Sequence, residues 1–118
     1  MNLNAQNAFQ KNLYSLNEEV KLIEKGLKEK TLTYETLTKK FELTKSLNRL
    51  SEEALESSIK NELDNELADL ITYTCELAKQ KLNLLESYNR YNDNLYIKTY
   101  KEIDSLYLSF YLKVKTKE

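Results

Sequence analysis

The first 30 residues carry a single apolar stripe. Its members follow one another at steps of four and three residues: Phe9, Leu13, Leu16, Val20, Ile23 and Leu27. Lysines, asparagines and glutamates fill the positions between them. This spacing aligns apolar side chains along one side of an α-helix. The pattern therefore predicts a helix over about residues 4–30.

A second, shorter helix is predicted over residues 34–50. Thr33 is a suitable N-cap, because its hydroxyl can accept a hydrogen bond from a backbone N–H of the first turn. Leu32 and Leu37 have the spacing of a hydrophobic staple around that cap. The residues expected to face inward are Leu37, Phe41, Leu47 and Leu50.

Ser51 is the next expected N-cap. Glu52 and Glu53 follow it directly, and the positive end of the helix dipole favours acidic side chains in a first turn. Apolar residues then recur without a helix breaker: Ile59, Leu63, Leu67, Leu70, Ile71, Ala78, Leu82 and Leu85. The pattern predicts a long central helix over residues 52–90, about 58 Å long at about 1.5 Å per residue. The alternative is a helix that continues through Ser51 and bends there.

The last predicted helix follows the turn-forming run from Asn89 to Asn94, since Asn and Asp favour turns and helix caps. The residues after this run again step by four and three: Tyr96, Tyr100, Ile103, Tyr107, Phe110 and Val114. Apolar residues also alternate over positions 106–114, which is typical of a strand. A lone strand in a helical chain has nothing to pair with. We therefore expect a helix over residues 94–115.

The composition favours helices throughout the chain. Its 118 residues include no proline and one glycine, Gly26, and these are the residue types that interrupt helices most. Its 22 leucines and 12 aromatic residues suffice for a buried core. We expect one all-α domain spanning residues 1–118, built as an antiparallel helical bundle or an extended helical hairpin of three to four helices.

Charge is distributed unevenly, although the net charge is only −1. Residues 51–76 carry eight acidic side chains and one basic side chain, whereas each flanking segment carries a net charge of +3. This distribution favours packing of the flanks against the middle and opposes parallel pairing of the middle with a copy of itself. The simpler interpretation is that the charges only cover exposed helix faces, where ion pairs contribute little.

The sequence offers little for catalysis. It contains no histidine, the most frequent general base and metal ligand, and one glycine cannot build a phosphate-binding loop. Cys75 lies in an apolar row, so we expect a buried thiol rather than a nucleophile. The carboxylates of Glu62, Glu66 and Asp69 share a helix face that could meet Mg²⁺ or Mn²⁺, but such acids usually form the exposed side of a helix. We expect a protein that is not an enzyme, without catalytic, cofactor or metal sites.

The expected location is the cytoplasm. The first residues, Met1–Asn7, lack the basic and apolar regions of a secretory signal. No apolar run approaches the roughly 20 residues that cross a bilayer, so no membrane span is expected. A single cysteine cannot form an internal disulfide, and nothing else indicates an oxidising compartment.

The tyrosines indicate where a partner binds. Six of the nine lie in the final 31 residues. A buried tyrosine needs a partner for its hydroxyl group, and tyrosine is enriched at protein interfaces. We expect the partner-binding residues to be Tyr96, Tyr100, Ile103, Tyr107, Phe110 and Tyr111. The alternative is that these tyrosines only border the core of the bundle.

The expected function is stoichiometric binding of another protein, as an adaptor, a small chaperone or an inhibitor. In composition the chain is similar to small helical export chaperones and to accessory proteins of phages or mobile elements, an analogy that rests on no motif. Narrow apolar stripes on long helices are also compatible with a homo-oligomer.

The alternative function is nucleic-acid binding through lysine rows and the C-terminal tyrosines, whose rings could stack on unpaired bases. The rows are Lys21, Lys25 and Lys28, then Lys39 and Lys40, then Lys113, Lys115 and Lys117. Proteins that bind phosphates usually carry a clear excess of positive charge, which this chain lacks. Protein binding is therefore the preferred hypothesis.

Overall fold

Four helices form the chain in the computed structural model, which describes residues 3–29 and 32–118. They are α1 (Leu3–Lys28), α2 (Tyr34–Ile59), α3 (Asn65–Tyr91) and α4 (Asn94–Lys115). No strand occurs in these two ranges, and the segment with overlapping strand and helix patterns is helical. The predicted all-α helical bundle is confirmed. Residue 30, the expected end of the first helix, lies outside the described residues.

The helices alternate in direction, and α3 packs against each of the other three. Helices α1 and α2 also pack on each other, while the axes of α1 and α4 hardly approach. The amide of Gln10 near the start of α1 nevertheless donates to the carbonyl oxygen of Val114 near the end of α4, at 3.0 Å. Long side chains therefore bridge the gap between α1 and α4.

The apolar stripe predicted in α1 lies in the core. Leu13, Val20 and Leu27 are almost completely buried, whereas Phe9 is partly buried and packs against the core from its edge. Branched aliphatic residues and alanines of α2 and α3 fill the space opposite. The largest of them are Leu43, Leu47, Leu50, Leu67, Ile71, Leu82 and Leu85. Burial of this continuous cluster is the main apolar contribution to folding.

The helix start expected at Ser51 is wrong. Helix α2 continues to Ile59, and the Ser51 hydroxyl donates to the carbonyl oxygen of Leu47 one turn earlier, at 3.1 Å. The break comes at residues 60–64, where Asn61 adopts a left-handed conformation with φ of 61°. Asp64 then caps α3 by accepting from the backbone N–H of Leu67. The long central helix over residues 52–90 is thus two helices joined by a turn.

The inward face predicted for α2 is also partly wrong. Phe41, which was expected to face inward, is 60% exposed, and Ile59, from the apolar row predicted for the long central helix, is 82% exposed. The buried row of this helix is Leu43, Leu47, Leu50 and Ala54. Each residue turns an α-helix by about 100°, so Phe41, two positions from Leu43, points to a different side. Helix α2 therefore carries a second, exposed row that includes apolar residues.

Two predicted local signals are confirmed. Thr33 caps α2, with its side chain accepting from the backbone N–H of Thr36 at 3.1 Å. The turn predicted over residues 89–94 is formed by Asn92, which is left-handed with φ of 52°, and by Asp93, which caps α4. Short polar side chains at these positions satisfy backbone groups that the helix ends leave unpaired.

The position of the break between α2 and α3 can be tested by replacing Asp64, which caps α3, and Ser51, where the sequence predicted the cap. Asp64→Ala is expected to lower the free energy of unfolding by about 1 kcal/mol, because the N-terminal N–H groups of α3 lose an acceptor. Ser51→Ala is the matched control and should change stability little, since alanine suits a helix interior. Urea unfolding followed by circular dichroism measures both. A larger loss for Ser51→Ala than for Asp64→Ala would contradict the described break.

Candidate protein-binding surface

The six residues of α4 that were predicted to bind a partner divide into two rows. Tyr100, Tyr107 and Tyr111 are buried and face α1 and α3. Tyr96, Ile103 and Phe110, seven residues apart, are half-buried along the adjoining edge of the helix, where Phe110 meets Tyr73 of α3. Three of the six thus contribute to the fold itself. Partner binding by the other three stays a prediction.

Helix α1 faces α4 with a polar row that the sequence analysis missed. This row lies next to the apolar stripe of α1 and has the same steps of four and three: Gln10, Tyr14, Asn17, Lys21, Glu24 and Lys28. Gln10, Asn17 and Glu24 are buried. A heptad row of polar residues beside an apolar one was the signal that could have revealed a second, hydrogen-bonded contact.

Lys81 of α3 lies at the centre of this contact and is only 2% exposed. Its Nζ atom is 3.0 Å from Glu24 Oε1 of α1 and 2.8 Å from Asp104 Oδ1 of α4. The same ammonium lies 3.9 Å from the ring centroid of Tyr107. A buried charge destabilises a protein unless it is paired and hydrogen-bonded, so these contacts are needed together. They connect three helices at one point.

The buried tyrosines extend this network along α4. The Tyr100 hydroxyl donates to Glu24, and the Tyr107 hydroxyl donates to Asn17. The Tyr107 ring stacks on Tyr111 with centroids 6.0 Å apart. Burial raises the pKa of Tyr100 and Tyr107, and the nearby Glu24 carboxylate raises the pKa of both further. Each phenol therefore keeps its proton and remains a hydrogen-bond donor.

The other edge of α4 meets α3 in an exposed apolar surface, the outer seam. Its residues are Tyr73 and Tyr91 of α3 with Leu95, Tyr96, Ile103, Leu106 and Phe110 of α4. The rings of Tyr73 and Phe110 meet edge to face at 5.7 Å, and those of Tyr91 and Tyr96 lie 6.1 Å apart. Tyr73, Tyr91, Leu95 and Leu106 are large apolar side chains left exposed to solvent. Such a cluster of aromatic and aliphatic side chains can bind apolar groups of a partner.

Cys75 is buried, as predicted. Burial raises the pKa of its thiol to about 11, so the thiol stays protonated at neutral pH and is a poor nucleophile. In the two described ranges, no group of three histidine, cysteine or acidic residues could hold a metal ion. Glu66, one of the carboxylates considered for such a site, instead pairs with Lys117 at 2.7 Å.

Lys21 and Lys28 of the α1 lysine row line the cleft between α1 and α4 together with Tyr100, Tyr107 and Tyr111. The ammonium of Lys28 is 5.1 Å from the ring centroid of Tyr100. The rings of Tyr100 and Tyr107 are nevertheless buried beneath this surface. They are not available to stack on a nucleic-acid base, which leaves the lysines as phosphate-binding groups only.

The chain matches no protein-family model, and neither a search of curated proteins nor one of solved structures found a match. Within the residues that the structure describes, no helix combines the length and apolar character needed to cross a bilayer.

Because burial raises the pKa of Tyr107, we expect the free energy of unfolding to depend on pH in the alkaline range. Above pH 10, the ordinary pKa of tyrosine, the unfolded chain loses the proton of Tyr107 while the folded chain retains it. The folded state then binds more protons, so the free energy of unfolding should fall as the pH rises. Tyr107→Phe should make this fall less steep, as measured by urea unfolding on either side of that pH. Tyr91→Phe makes the same chemical change at an exposed ring, and an equal effect there would contradict the network.

Proposed function

We propose that this protein binds another protein stoichiometrically, as an adaptor, small chaperone or inhibitor, and that the outer seam is its docking surface. The observation that carries the proposal is the exposed cluster of aromatic and leucine side chains where α3 and α4 meet. Tyrosine and phenylalanine are enriched at protein interfaces, and a fixed cluster of them loses little entropy on binding. The cytoplasm is the location we propose for this activity.

The charges beside the outer seam indicate the chemistry of the partner. On α3, Asp69 and Glu76 lie one turn before and one turn after Tyr73, and both are exposed. Acidic residues at the edge of an apolar surface favour a partner with basic residues beside its apolar ones, and they raise its association rate. An amphipathic segment with apolar and basic side chains fits this surface best.

Nucleic-acid binding is the second candidate function. It is favoured by the exposed lysines of α1, Lys21, Lys25 and Lys28, which line one shallow surface hollow. The buried tyrosines leave this surface without stacking groups, so we rank it below protein binding. A mobility-shift assay with single-stranded DNA and RNA tests it, because phosphate binding should weaken steeply with salt.

Affinity capture with a matched pair of variants tests the leading proposal. Tyr73→Ala with Leu106→Gln should reduce recovery of the partner from a lysate of the native host by well over tenfold, since loss of interface anchors commonly costs about 2 kcal/mol or more. Leu22→Gln, at an exposed leucine of α1, is the control and should leave recovery unchanged. Quantitative mass spectrometry measures the recovered proteins, and circular dichroism checks that each variant is folded.

Two outcomes would contradict the proposal. One is that every protein captured by the wild type is captured equally by the folded seam variant. The other is that only nucleic acid is recovered, with binding that disappears when Lys21, Lys25 and Lys28 are changed to alanine.

A further inference from the structure

An exposed row on the outside of α4 combines leucines with lysines. This basic stripe consists of Lys101, Ser105, Leu108, Leu112 and Lys115, at steps of four and three residues. Leu108 is 50% exposed and Leu112 is 58% exposed, although a leucine pair one turn apart is typical of a helix–helix contact. Both leucines border the cleft of about 390 Å³ between α1 and α4, which Lys21 and Lys28 also line.

A second exposed row, on α2, has the opposite charge. This acidic stripe consists of Glu52, Leu55, Glu56 and Ile59, which share one face because they are three, four and seven residues apart. Leu55 and Ile59 are among the exposed apolar residues. A hydrogen bond between Ser58 and Asn65 joins the adjoining ends of α2 and α3.

The two stripes complement each other. Each presents two aliphatic side chains one helical turn apart. The basic stripe carries two lysines, whereas the acidic stripe lies in the net-negative segment 51–76, where Lys60, paired with Glu56 at 2.8 Å, is the one basic residue. Pairing of either stripe with a copy of itself would bring like charges together, whereas pairing of one stripe with the other brings opposite charges together. Helices α2 and α4 lie on different sides of α3, so one molecule cannot satisfy its two stripes internally.

We infer that copies of this chain associate head to tail, with the basic stripe of one molecule packed against the acidic stripe of the next. Such a contact uses two different surfaces, so each added copy leaves one stripe free at each end of the assembly. Neither stripe includes a residue of the outer seam. An assembly would therefore present several outer seams side by side, which increases avidity for a partner with repeated binding segments.

Sedimentation velocity of the purified chain, from micromolar to millimolar concentration, tests this inference. The wild type should show a sedimentation coefficient that rises with concentration, and high salt should reduce the rise because the stripes are charged. Leu108→Gln with Leu112→Gln removes the apolar part of the basic stripe, and Leu55→Gln with Ile59→Gln removes that of the acidic stripe. Each double variant alone should sediment as a monomer at concentrations where the wild type associates.

Mixing the two double variants distinguishes a head-to-tail contact from a symmetric one. Each variant retains the stripe that the other has lost, so an equimolar mixture should form a dimer that does not grow further. Two folded controls lie outside both stripes: Leu22→Gln, and Tyr73→Ala with Leu106→Gln. Both should associate like the wild type.

Three results would overturn the inference. The first is a wild type that remains monomeric at every concentration, whether or not its basic stripe binds some other acidic protein. The second is association that persists in either double variant, or that is lost in the outer-seam control. The third is a mixture of the two double variants that stays monomeric although each variant is shown by circular dichroism to be folded.

Discussion

The arrangement of the bundle depends on one buried ammonium group. Lys81 projects from α3 into the space between α1 and α4, where Glu24 and Asp104 neutralise it and the Tyr107 ring covers it. An unpaired charge at this depth would cost several kcal/mol. The pairing therefore favours the register of the three helices that brings both carboxylates to Lys81. Apolar contacts stabilise the bundle, and this network selects one arrangement of it.

The network also decides which surfaces of α4 remain exposed. With Tyr100 and Tyr107 turned toward Glu24 and Asn17, Ile103 and Phe110 lie along the α3 edge. The opposite flank, with Leu108, faces the cleft beside α1. Helix α4 thus presents two apolar edges of different character, one aromatic and adjoining acidic residues of α3, the other aliphatic and adjoining lysines. The proposed docking surface and the proposed self-association both follow from this orientation.

Local signals in the sequence predicted much of the fold. The bounds of α4, the cap at Thr33 and the turn at Asn92 and Asp93 were predictable because each depends on residues within one or two turns. The break before α3 was misplaced because a serine can either cap a helix or bond back within one. Ser51 does the latter. The actual signal, Asn61 followed by Asp64, lay in a run of acidic residues that reads equally well as the exposed face of a helix.

The candidate site was less predictable because its contacts are distant in sequence. Glu24 has a suitable lysine four residues later, Lys28, yet it pairs with Lys81, 57 residues away. The apolar and tyrosine positions of α4 occupy more than one side of the helix, so the pattern alone could not decide which side faces inward. The inward side of α4 is set by its hydrogen bonds to polar residues of α1. In the sequence these polar residues lie beside a stronger apolar pattern, so their role was not recognised.

A double-mutant cycle between Lys81 and Glu24 tests this account most directly. We predict that Lys81→Met alone lowers the free energy of unfolding by about 3–5 kcal/mol, because it leaves two carboxylates without their cation. Lys81→Met combined with Glu24→Gln should lose less than the sum of the single changes, with a coupling energy of about 1–3 kcal/mol. The pair Lys79 and Glu76, in which Glu76 is exposed and Lys79 is half-buried, is the control on the same helix and should couple by less than about 1 kcal/mol. Additive effects of Lys81 and Glu24 would contradict the central role of the buried ammonium.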